Sequence, residues 1–461
     1  MKLYFTYQCL HYKLIISDLS HKTMKRKGKR KKNTMFGTHK FPSYDQILDT
    51  YGKEFSRYIH PKGKTTFGFW MQTIADFKLL DLELQGLTKK YKIYPIKRTA
   101  KIKGNLEFIK MRVAHLEKVE GEKTLYTRFA DLYNDTNAYA FHNIYPYKGK
   151  FYPRVVRTLI NTFKLKPGAL ILDPFNGSGT TTHEASLMGI ESYGIDVTPM
   201  GIMLSELKNE LLFMPSEKLD YENDDLIKII NLIKKKRWKH PNETLRKLML
   251  AIYFDTEDAF TRTSRYNKKG KTGLFVEKFK YIQECYNKLI SLKKEYSLKF
   301  KRAKIISGDV LELKKIRRLK EKFDAIITSP PYYFSIDYVG KDKIAYEYLG
   351  VNMKEVESKY LGMKNNNLIE KNYGDLPKKV VHYYEDLRQS IENMYWALKK
   401  GGKMAIIVGD STVKGRKIPT TIMTRKFCED VGFKFENLIF NPLLGARNRA
   451  IRGESIIIFE K

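Results

Sequence analysis

Cysteine is scarce in this sequence. The 461 residues include only Cys9, Cys285 and Cys428, whose spacing indicates neither a disulfide framework nor a zinc site. Long apolar runs are missing as well, and the first twenty residues lack the apolar core of a signal peptide. These absences predict a soluble cytoplasmic protein with no membrane segment and no metal centre.

Acidic residues are too few to balance the basic ones. The chain has 51 Asp and Glu against 86 Lys and Arg, which gives a formal net charge of +35. Such an imbalance creates a long-range positive potential and favours a polyanionic partner, so we expect nucleic acid. A biased genome is the alternative, although such bias usually raises Glu together with Lys. Residues 1–40 contain the block Lys25-Arg-Lys-Gly-Lys-Arg-Lys-Lys32 and are predicted to form a disordered basic tail.

The N-terminal part of the chain mixes helical and strand patterns. Ser43 and Gln46 fit a capping box that opens a helix, and residues 65–87 carry a second amphipathic helical pattern. Glu120-Gly-Glu122 is a candidate hairpin turn. Residues 41–140 are therefore predicted to form an α+β region, for which DNA recognition, oligomerisation and structural packing all stay open.

Strand and helix patterns alternate in residues 141–200 and again in residues 301–461. In the first stretch, β-forming residues lead into Asp173, a glycine turn and a helical segment follow, and a second strand ends at Asp196. Residues 201–300 interrupt the alternation with helical patterns and are a candidate DNA-recognition region. The predicted fold is α/β, a doubly wound, mixed, Rossmann-like sheet with an N-terminal α+β region and a mainly helical insertion.

The turn after the first of these strands has the sequence Asp173-Pro-Phe-Asn-Gly-Ser-Gly-Thr-Thr181. Glycines let a backbone approach a ligand closely, and the helix start behind them offers free N–H groups. The loop contains no basic residue and no Gly-Lys-Ser/Thr follows it, so it differs from a phosphate-binding loop. Asp196 follows at the distance typical of an acid that accepts hydrogen bonds from ribose hydroxyls, although a cap for the turn before Pro199 would explain it too.

A second motif, Thr328-Ser-Pro-Pro-Tyr332, follows a later strand. Two consecutive prolines stiffen the backbone and hold the preceding carbonyls in place. A Ser hydroxyl and a carbonyl held in this way can accept hydrogen bonds from a planar base amine, which favours a tetrahedral nitrogen and frees its lone pair. Tyr332 can stack on an unpaired base, a contact worth about 1 to 3 kcal/mol. A proline-rich loop with a structural tyrosine is the alternative.

Together, the two motifs resemble those of the S-adenosylmethionine-dependent DNA amino-methyltransferases. The tetrapeptide Ser329-Pro-Pro-Tyr332 begins with Ser and so resembles that of the cytosine-N4 branch, whereas the tetrapeptide of adenine-N6 enzymes usually begins with Asp or Asn. The segment Lys148-Gly-Lys-Phe-Tyr-Pro153 is similar to the family's upstream motif, which touches the methionine end of the cofactor. The resemblance covers roughly residues 142–200 and 303–461 and implies a class I methyltransferase fold.

The resemblance also implies a set of site residues and no metal. Those expected around the amino-acid part of S-adenosylmethionine are Lys150, Phe151, Asp173, Phe175, Gly177, Ser178, Gly179 and Thr180. Asp196 is expected to bind the ribose hydroxyls and Asp309 the adenine end. The target base, flipped out of the duplex, is expected against Ser329, Pro330, Pro331 and Tyr332. Methyl transfer would then be a direct displacement, accelerated mainly by positioning.

The implied activity is site-specific methylation of double-stranded DNA at cytosine N4, by a cytoplasmic, nucleoid-associated enzyme. A cognate restriction endonuclease is a candidate partner. Adenine N6 is the nearest alternative target, followed by guanine N2 of tRNA and by a non-catalytic DNA-binding subunit. Methylation of cytosine carbon 5 is excluded because it needs a Pro-Cys dipeptide, and Gln8, Glu284 and Phe427 precede the three cysteines.

Overall fold

The computed structural model describes residues 63–68, 70–71, 73–133, 139–262, 270–332, 339–363, 376–413, 416–442 and 453–461. The predicted basic tail and the helix predicted at Ser43 lie outside these residues. The described residues belong to one compact unit.

The described strands are β1 Thr66–Phe67, β2 Lys90–Tyr94, β3 Thr99–Lys103, β4 Leu116–Val119, β5 Glu122–Lys123, β6 Leu170–Asp173, β7 Glu191–Asp196, β8 Ala303–Ser307, β9 Phe323–Thr328, β10 Leu398–Val408, β11 Ser411–Val413, β12 Arg416–Ile418, β13 Lys434–Pro442 and β14 Gly453–Glu460. The described helices are α1 Ile74–Leu87, α2 Leu106–Arg112, α3 Leu125–Tyr133, α4 Pro153–Thr162, α5 Thr180–Leu187, α6 Pro199–Leu211, α7 Asn223–Lys234, α8 Glu243–Arg262, α9 Gly270–Glu295, α10 Lys343–Leu349, α11 Met353–Ser358, α12 Lys378–Ala397 and α13 Thr420–Val431. The helices α6 to α9 fill the chain between β7 and β8, where the helical insertion was predicted.

Seven strands form the central sheet, in the order β13-β14-β10-β9-β6-β7-β8. The strands from β10 to β8 in this order run parallel, whereas β14 is antiparallel to both β10 and β13. The chain passes from β6 outward to β7 and β8, and then returns to β9 on the other side of β6. The strand order therefore reverses between β6 and β9, and sheets of this kind bind ligands at the carboxyl ends of the strands at the reversal. This arrangement confirms the predicted doubly wound, mixed α/β sheet.

The central strands are apolar on both faces because helices cover both. Ile326 and Ile406 pack in one core cluster together with residues of α12 and α13. Ile327 and Ile407 point the opposite way and pack with residues of α1 and α4. Alternation between two buried layers explains why these strands have nearly continuous apolar runs.

A second, five-stranded antiparallel sheet precedes the central one, in the order β2-β3-β1-β4-β5. A buried polar network joins it to α4. The Glu83 carboxylate on α1 is fully buried and accepts hydrogen bonds from the Ala114 N–H at 2.9 Å and from Asn161 Nδ2 at 2.8 Å. Arg112 Nε donates to Asn161 Oδ1 at 2.8 Å. Loss of one partner in a buried network of this kind is strongly destabilising, so the network fixes the small sheet against α4.

Local predictions in this region had mixed outcomes. The hairpin turn predicted at Glu120-Gly-Glu122 is confirmed by the pairing of β4 with β5. The helix predicted over residues 65–87 is wrong at its start, because β1 occupies part of that stretch and α1 begins only at Ile74. A capping box explains the observed start: Thr73 Oγ1 accepts from the Asp76 N–H, and the Asp76 carboxylate accepts from the Thr73 N–H.

Candidate active site

A cavity opens at the carboxyl ends of β6, β7, β8 and β9, beside the reversal in strand order; we call it the strand-end cavity. Residues 147–149 and 359–361 complete its wall. The predicted site residues in the wall are Phe175, Gly177, Asp196, Asp309, Ser329, Pro330, Pro331 and Tyr332. Motifs that are far apart in the sequence thus meet at one edge of the sheet.

The remaining predicted residues lie outside this wall. Those buried beneath it are Asp173, Ser178, Gly179 and Thr180. Lys150 directs its ammonium to the carbonyl of His142, 2.6 Å away, and Phe151 packs against a core cluster. Residues 147–151 therefore contribute Tyr147, Lys148 and Gly149 to the cavity wall, rather than Lys150 and Phe151.

Two glycines shape the loop after β6. Gly177 and Gly179 have φ angles of +48° and +78°, which glycine adopts without steric cost. A Cβ on Gly179 would lie 2.7 Å from Cβ of Ser205 on α6, and one on Gly177 would lie 3.2 Å from the ring of Tyr147. Gly179 therefore lets α6 pack against the loop, and Gly177 leaves room for the tyrosine ring in the cavity wall.

Lys208 on α6 supports the same loop from within the protein. Its side chain is 1% exposed, and Nζ donates to the Ser178 carbonyl at 2.7 Å and to Ser178 Oγ at 3.3 Å. Burial, and then the charge of Lys150, lowers the pKa of Lys208 well below its ordinary value. Sequence reasoning missed this residue because lysine on a helix is normally exposed.

Asp196, at the end of β7, binds the glycine loop through hydrogen bonds. Its Oδ2 accepts from the Gly177 N–H at 2.6 Å, and Oδ1 accepts from the N–H and the hydroxyl of Thr198 at 2.8 and 2.6 Å. Burial raises the pKa of Asp196, although these hydrogen bonds lower it in part. A carboxylate has about four acceptor positions, so these three hydrogen bonds leave about one position for a ligand donor.

Asp173 combines burial with an unused acceptor. Its Oδ1 accepts from Thr328 Oγ1 at 2.6 Å and from the Phe175 N–H at 3.1 Å, whereas Oδ2 has no partner among the described residues. Burial raises the pKa of this carboxyl from 3.8 to about 6, despite the hydrogen bonds that oppose the change. A buried carboxylate oxygen without a partner is costly. An N–H donor of a bound ligand would satisfy this oxygen.

Hydrogen bonds from distant elements hold the proline tetrapeptide. The Tyr383 hydroxyl on α12 donates to the Pro331 carbonyl at 3.0 Å, and the Tyr332 hydroxyl donates to Glu454 Oε1 on β14 at 2.8 Å. Burial raises the pKa of Glu454, which the bond from Tyr332 partly opposes. Neither Tyr383 nor Glu454 was predicted, because no sequence pattern connects these positions with the tetrapeptide.

The described part of the chain contains no group of three or more His, Cys, Asp or Glu side chains that could hold a metal ion. None of the described helices is both long and apolar enough to cross a membrane.

Comparisons with known proteins bear on this geometry. The family model described as DNA methylase, for N6 and N4 methyltransferases, matches residues 18–203. Type II methyltransferase M.BsoBI of Geobacillus stearothermophilus is 24% identical over 436 residues, which cover 71% of this chain and 85% of the relative. Type II methyltransferase M.MjaII of Methanocaldococcus jannaschii is 27% identical over 210 residues, 42% of this chain and 32% of the relative. In a structural comparison, rRNA methyltransferase aviRa from Streptomyces viridochromogenes matches 68% of this chain and 87% of its own, with 12% identity and a TM-score of 0.32.

The family match includes the glycine motif at residues 173–181, whereas the tetrapeptide at residues 329–332 lies outside the matched residues. Both the N4 and the N6 branch fall within this match, so the match leaves the branch open. The comparisons support the predicted resemblance, and with it the cofactor: the chain is similar to the S-adenosylmethionine-dependent DNA amino-methyltransferases.

Proposed function

We propose that this DNA methyltransferase modifies the N4 amine of cytosine in a base flipped out of double-stranded DNA. The observation that carries the proposal is the Ser at position 329, in the cavity wall, where adenine-N6 enzymes usually have Asp or Asn. When bound, S-adenosylmethionine would supply an electrophilic methyl group and a neutral thioether leaving group, and the base nitrogen would release one of its two protons to water.

The chain's own residues would prepare the base for this transfer. Because Tyr383 already uses the Pro331 carbonyl, the Ser329 hydroxyl and the Pro330 carbonyl are the candidate acceptors for the two protons of the amine. Hydrogen bonds to both protons direct the nitrogen lone pair out of the ring plane. Stacking on Tyr332, whose hydroxyl is anchored on Glu454, would fix the plane of the base.

On the cofactor side, we propose that Asp173 binds the amino group, Asp196 the ribose hydroxyls and Asp309 the adenine end. Phe175, Gly177 and Asp309 line the strand-end cavity, and the unused oxygen of Asp173 lies behind it. Asp309 also caps the turn after β8, since its Oδ1 accepts from the Leu311 N–H at 2.8 Å.

Cofactor binding should depend on pH through Asp173. With a pKa of about 6 in the folded protein, this carboxyl ionises as the pH rises from about 5 to 7, while an α-amino group stays protonated. We expect affinity for S-adenosylmethionine to rise roughly tenfold over this range, since a charged hydrogen bond contributes about 1.5 to 3 kcal/mol. In the ligand-free protein, the folded state holds the Asp173 proton more tightly than the unfolded state does. The free energy of unfolding should therefore fall as the pH rises from 3.8 to about 6.

Calorimetric titrations at several pH values test this expectation. Asp173→Asn should bind weakly at every pH, whereas Asp131→Asn, which removes an exposed carboxylate on α3, should show the dependence of the unmodified protein. Affinity that does not change with pH in the unmodified protein would contradict the role of Asp173.

Asp196→Ala should weaken S-adenosylmethionine binding roughly tenfold to a hundredfold. The substitution removes the acceptor for the Gly177 N–H and any bond to ribose, each worth about 1.5 to 3 kcal/mol when the acceptor is charged. Asp196→Asn keeps one acceptor oxygen, so its affinity for S-adenosylmethionine should lie between those of Asp196→Ala and the unmodified protein. Calorimetry measures the dissociation constants, and unchanged affinity in Asp196→Ala would rule the assignment out.

The target base can be identified by expressing the protein in a host without DNA methylation and sequencing its DNA by a method that distinguishes methylated bases. N4-methylcytosine in one short motif supports the proposal, and N6-methyladenine would assign the other branch. Absence of methylated DNA would contradict a DNA substrate and direct the assay to RNA.

A modification role beside a restriction endonuclease is the second part of the proposal, and it places the enzyme at the nucleoid in the cytoplasm. Its support is that the two relatives named above are both type II methyltransferases. DNA from the expressing host should resist an endonuclease that recognises the methylated motif, and complete digestion would exclude this role.

A further inference from the structure

The β2–β3 hairpin of the small sheet presents lysines to solvent. In its antiparallel register Lys90 lies opposite Lys103, and Lys92 lies opposite Lys101. Residues directly opposite each other, and residues two apart on one strand, share a face of a sheet. All four side chains are exposed. We call Lys90, Lys92, Lys101 and Lys103 the lysine face.

The other face of the hairpin is apolar and packed. Ala100 and Ile102 are buried in the core, and Tyr91 and Ile93 pack against the same cluster. A shift in register by one residue would turn these side chains to solvent. Burial therefore fixes the register, and the like charges cannot separate by slippage of the strands.

The lysine face lowers the stability of the hairpin. Like charges directly opposite each other destabilise an antiparallel pair. None of the ion pairs among the described residues involves these four lysines. Lys92 Nζ lies 5.5 Å from the centroid of the Tyr94 ring, a cation–π contact that leaves the charge in place.

Protection of a sheet edge explains only half of this arrangement. β2 is an edge strand, and lysines on edge strands hinder pairing with another chain. β3 lies inside the sheet, between β2 and β1, so Lys101 and Lys103 need another explanation. A polyanion laid along the hairpin would supply counter-charges to both rows.

Buried contacts fix the hairpin relative to the active site. Arg98, at the hairpin tip, is buried and donates to the Met71 carbonyl at 3.2 Å, just before α1. Asp76 in the first turn of α1 accepts from Arg154 in the first turn of α4 at 3.0 Å. Helix α4 follows residues 147–149 of the cavity wall closely in the sequence, so a rigid link joins the two places.

We propose that the lysine face contacts the sugar-phosphate backbone of the duplex DNA that the protein methylates. This inference rests on the proposed function, because it takes the substrate to be a duplex. Same-face residues along a strand are about 6.8 Å apart, and a duplex carries one negative charge per roughly 1.7 Å of its axis, so each lysine has a phosphate within reach. Such contacts position the duplex and carry no sequence information.

A quadruple variant, K90Q/K92Q/K101Q/K103Q, tests the lysine face. The probe is a mixed-sequence duplex of about 30 base pairs, and fluorescence anisotropy measures its dissociation constant at several salt concentrations. Each lost phosphate contact lowers the slope of log affinity against log salt by about 0.9, so we expect a decrease of about 3 to 4 and binding roughly tenfold to a hundredfold weaker at low salt. The melting temperature should not fall, because the variant removes like-charge pairs.

The matched control is K299Q/K320Q/K400Q/K434Q, which removes the same charge from other positions on the central sheet. These exposed lysines lie at or before the starts of β8, β9, β10 and β13. We expect its salt slope to stay close to that of the unmodified protein. Equal losses in the two variants, or no loss in the first, would overturn the proposal.

Two further measurements separate this inference from the proposed function. Methyl transfer by the unmodified protein tests the function itself, and failure there would reject a DNA substrate whatever the hairpin does. If transfer occurs, the hairpin variant should keep kcat at saturating duplex and show a raised KM for DNA. Acetylation of the unmodified protein, with and without duplex, should show protection of the four lysines, and equal labelling would contradict the contact.

Discussion

Replacing Ser329 or Tyr332 by alanine should lower turnover on DNA by about a hundredfold or more and leave the affinity for S-adenosylmethionine nearly unchanged. Removal of one hydrogen-bonding group that acts on the reacting atoms typically costs about 10² to 10³ in kcat, and loss of base stacking costs about 1 to 3 kcal/mol. Both residues line the strand-end cavity, whereas the proposed amino and ribose contacts are Asp173 and Asp196.

Steady-state kinetics on duplex DNA and calorimetry with the cofactor give the two readouts. Tyr332→Phe is the matched variant, since it keeps the ring and removes only the hydroxyl bonded to Glu454. We expect it to retain more activity than Tyr332→Ala. Equal loss in the two would mean that the anchored orientation of the ring matters more than stacking, and an equal loss of cofactor affinity would contradict the assigned role.

Glu184→Ala should destabilise the protein by about 3 to 5 kcal/mol, the usual cost of breaking a buried ion pair. The Glu184 carboxylate on α5 is fully buried and accepts from Arg157 Nε at 2.5 Å and from the Tyr139 hydroxyl at 2.6 Å. Burial lowers the pKa of His142 well below its ordinary value, so this imidazole is neutral and Nε2 donates to Glu184 at 3.1 Å. Without Glu184, the Arg157 guanidinium would be a buried charge with no counter-ion.

Urea denaturation of the variant measures this loss, and Glu191→Ala is the control. Glu191 lies at the exposed start of β7, and its ion pair with Lys301 spans 3.5 Å. Exposed pairs contribute about 0 to 1 kcal/mol, so the control should unfold at nearly the same urea concentration as the unmodified protein. Similar midpoints for the two variants would show that the buried network contributes little.

The Glu184 network also matters for the active site. Tyr139 and His142 precede residues 147–149 of the cavity wall by a few residues, and the His142 carbonyl holds Lys150. Helix α5, which carries Glu184, begins directly after the glycine loop. The network thus fixes two parts of the site against each other, and Glu184→Ala should weaken cofactor binding as well as lower stability.

Much of the fold could be predicted from local patterns. The helical segment predicted after the glycine turn is α5, Thr180–Leu187, and the helical patterns predicted in residues 201–300 include α7, α8 and α9. Strands ending at Asp173, Asp196 and Thr328 were found where they were expected. These elements are strongly apolar and are bounded by turn residues, so they can be predicted from the local sequence alone. The start of α1 was missed because amphipathic spacing over residues 65–87 hid the Thr73 capping box.

The direction of individual side chains was predicted less well. Lys150 and Phe151 were expected at the cofactor, yet the adjacent Tyr147 and Lys148 line the cavity. In an irregular segment no period relates sequence position to direction, so neighbouring residues can face opposite ways. Asp196 was expected to serve a ligand, and it also organises the glycine loop through the Gly177 N–H.

The resemblance to the family, the reaction class it implies and the strands and turns around the two motifs could be predicted from sequence, because each motif is formed by residues close together in the chain. The distant groups that complete the site could be identified only from the folded protein. The bond from Tyr332 to Glu454 and that from Tyr383 to Pro331, like the support of Ser178 by Lys208, join residues brought together by the crossing connections of the sheet. Such contacts depend on how helices pack over a doubly wound sheet, which no local pattern records.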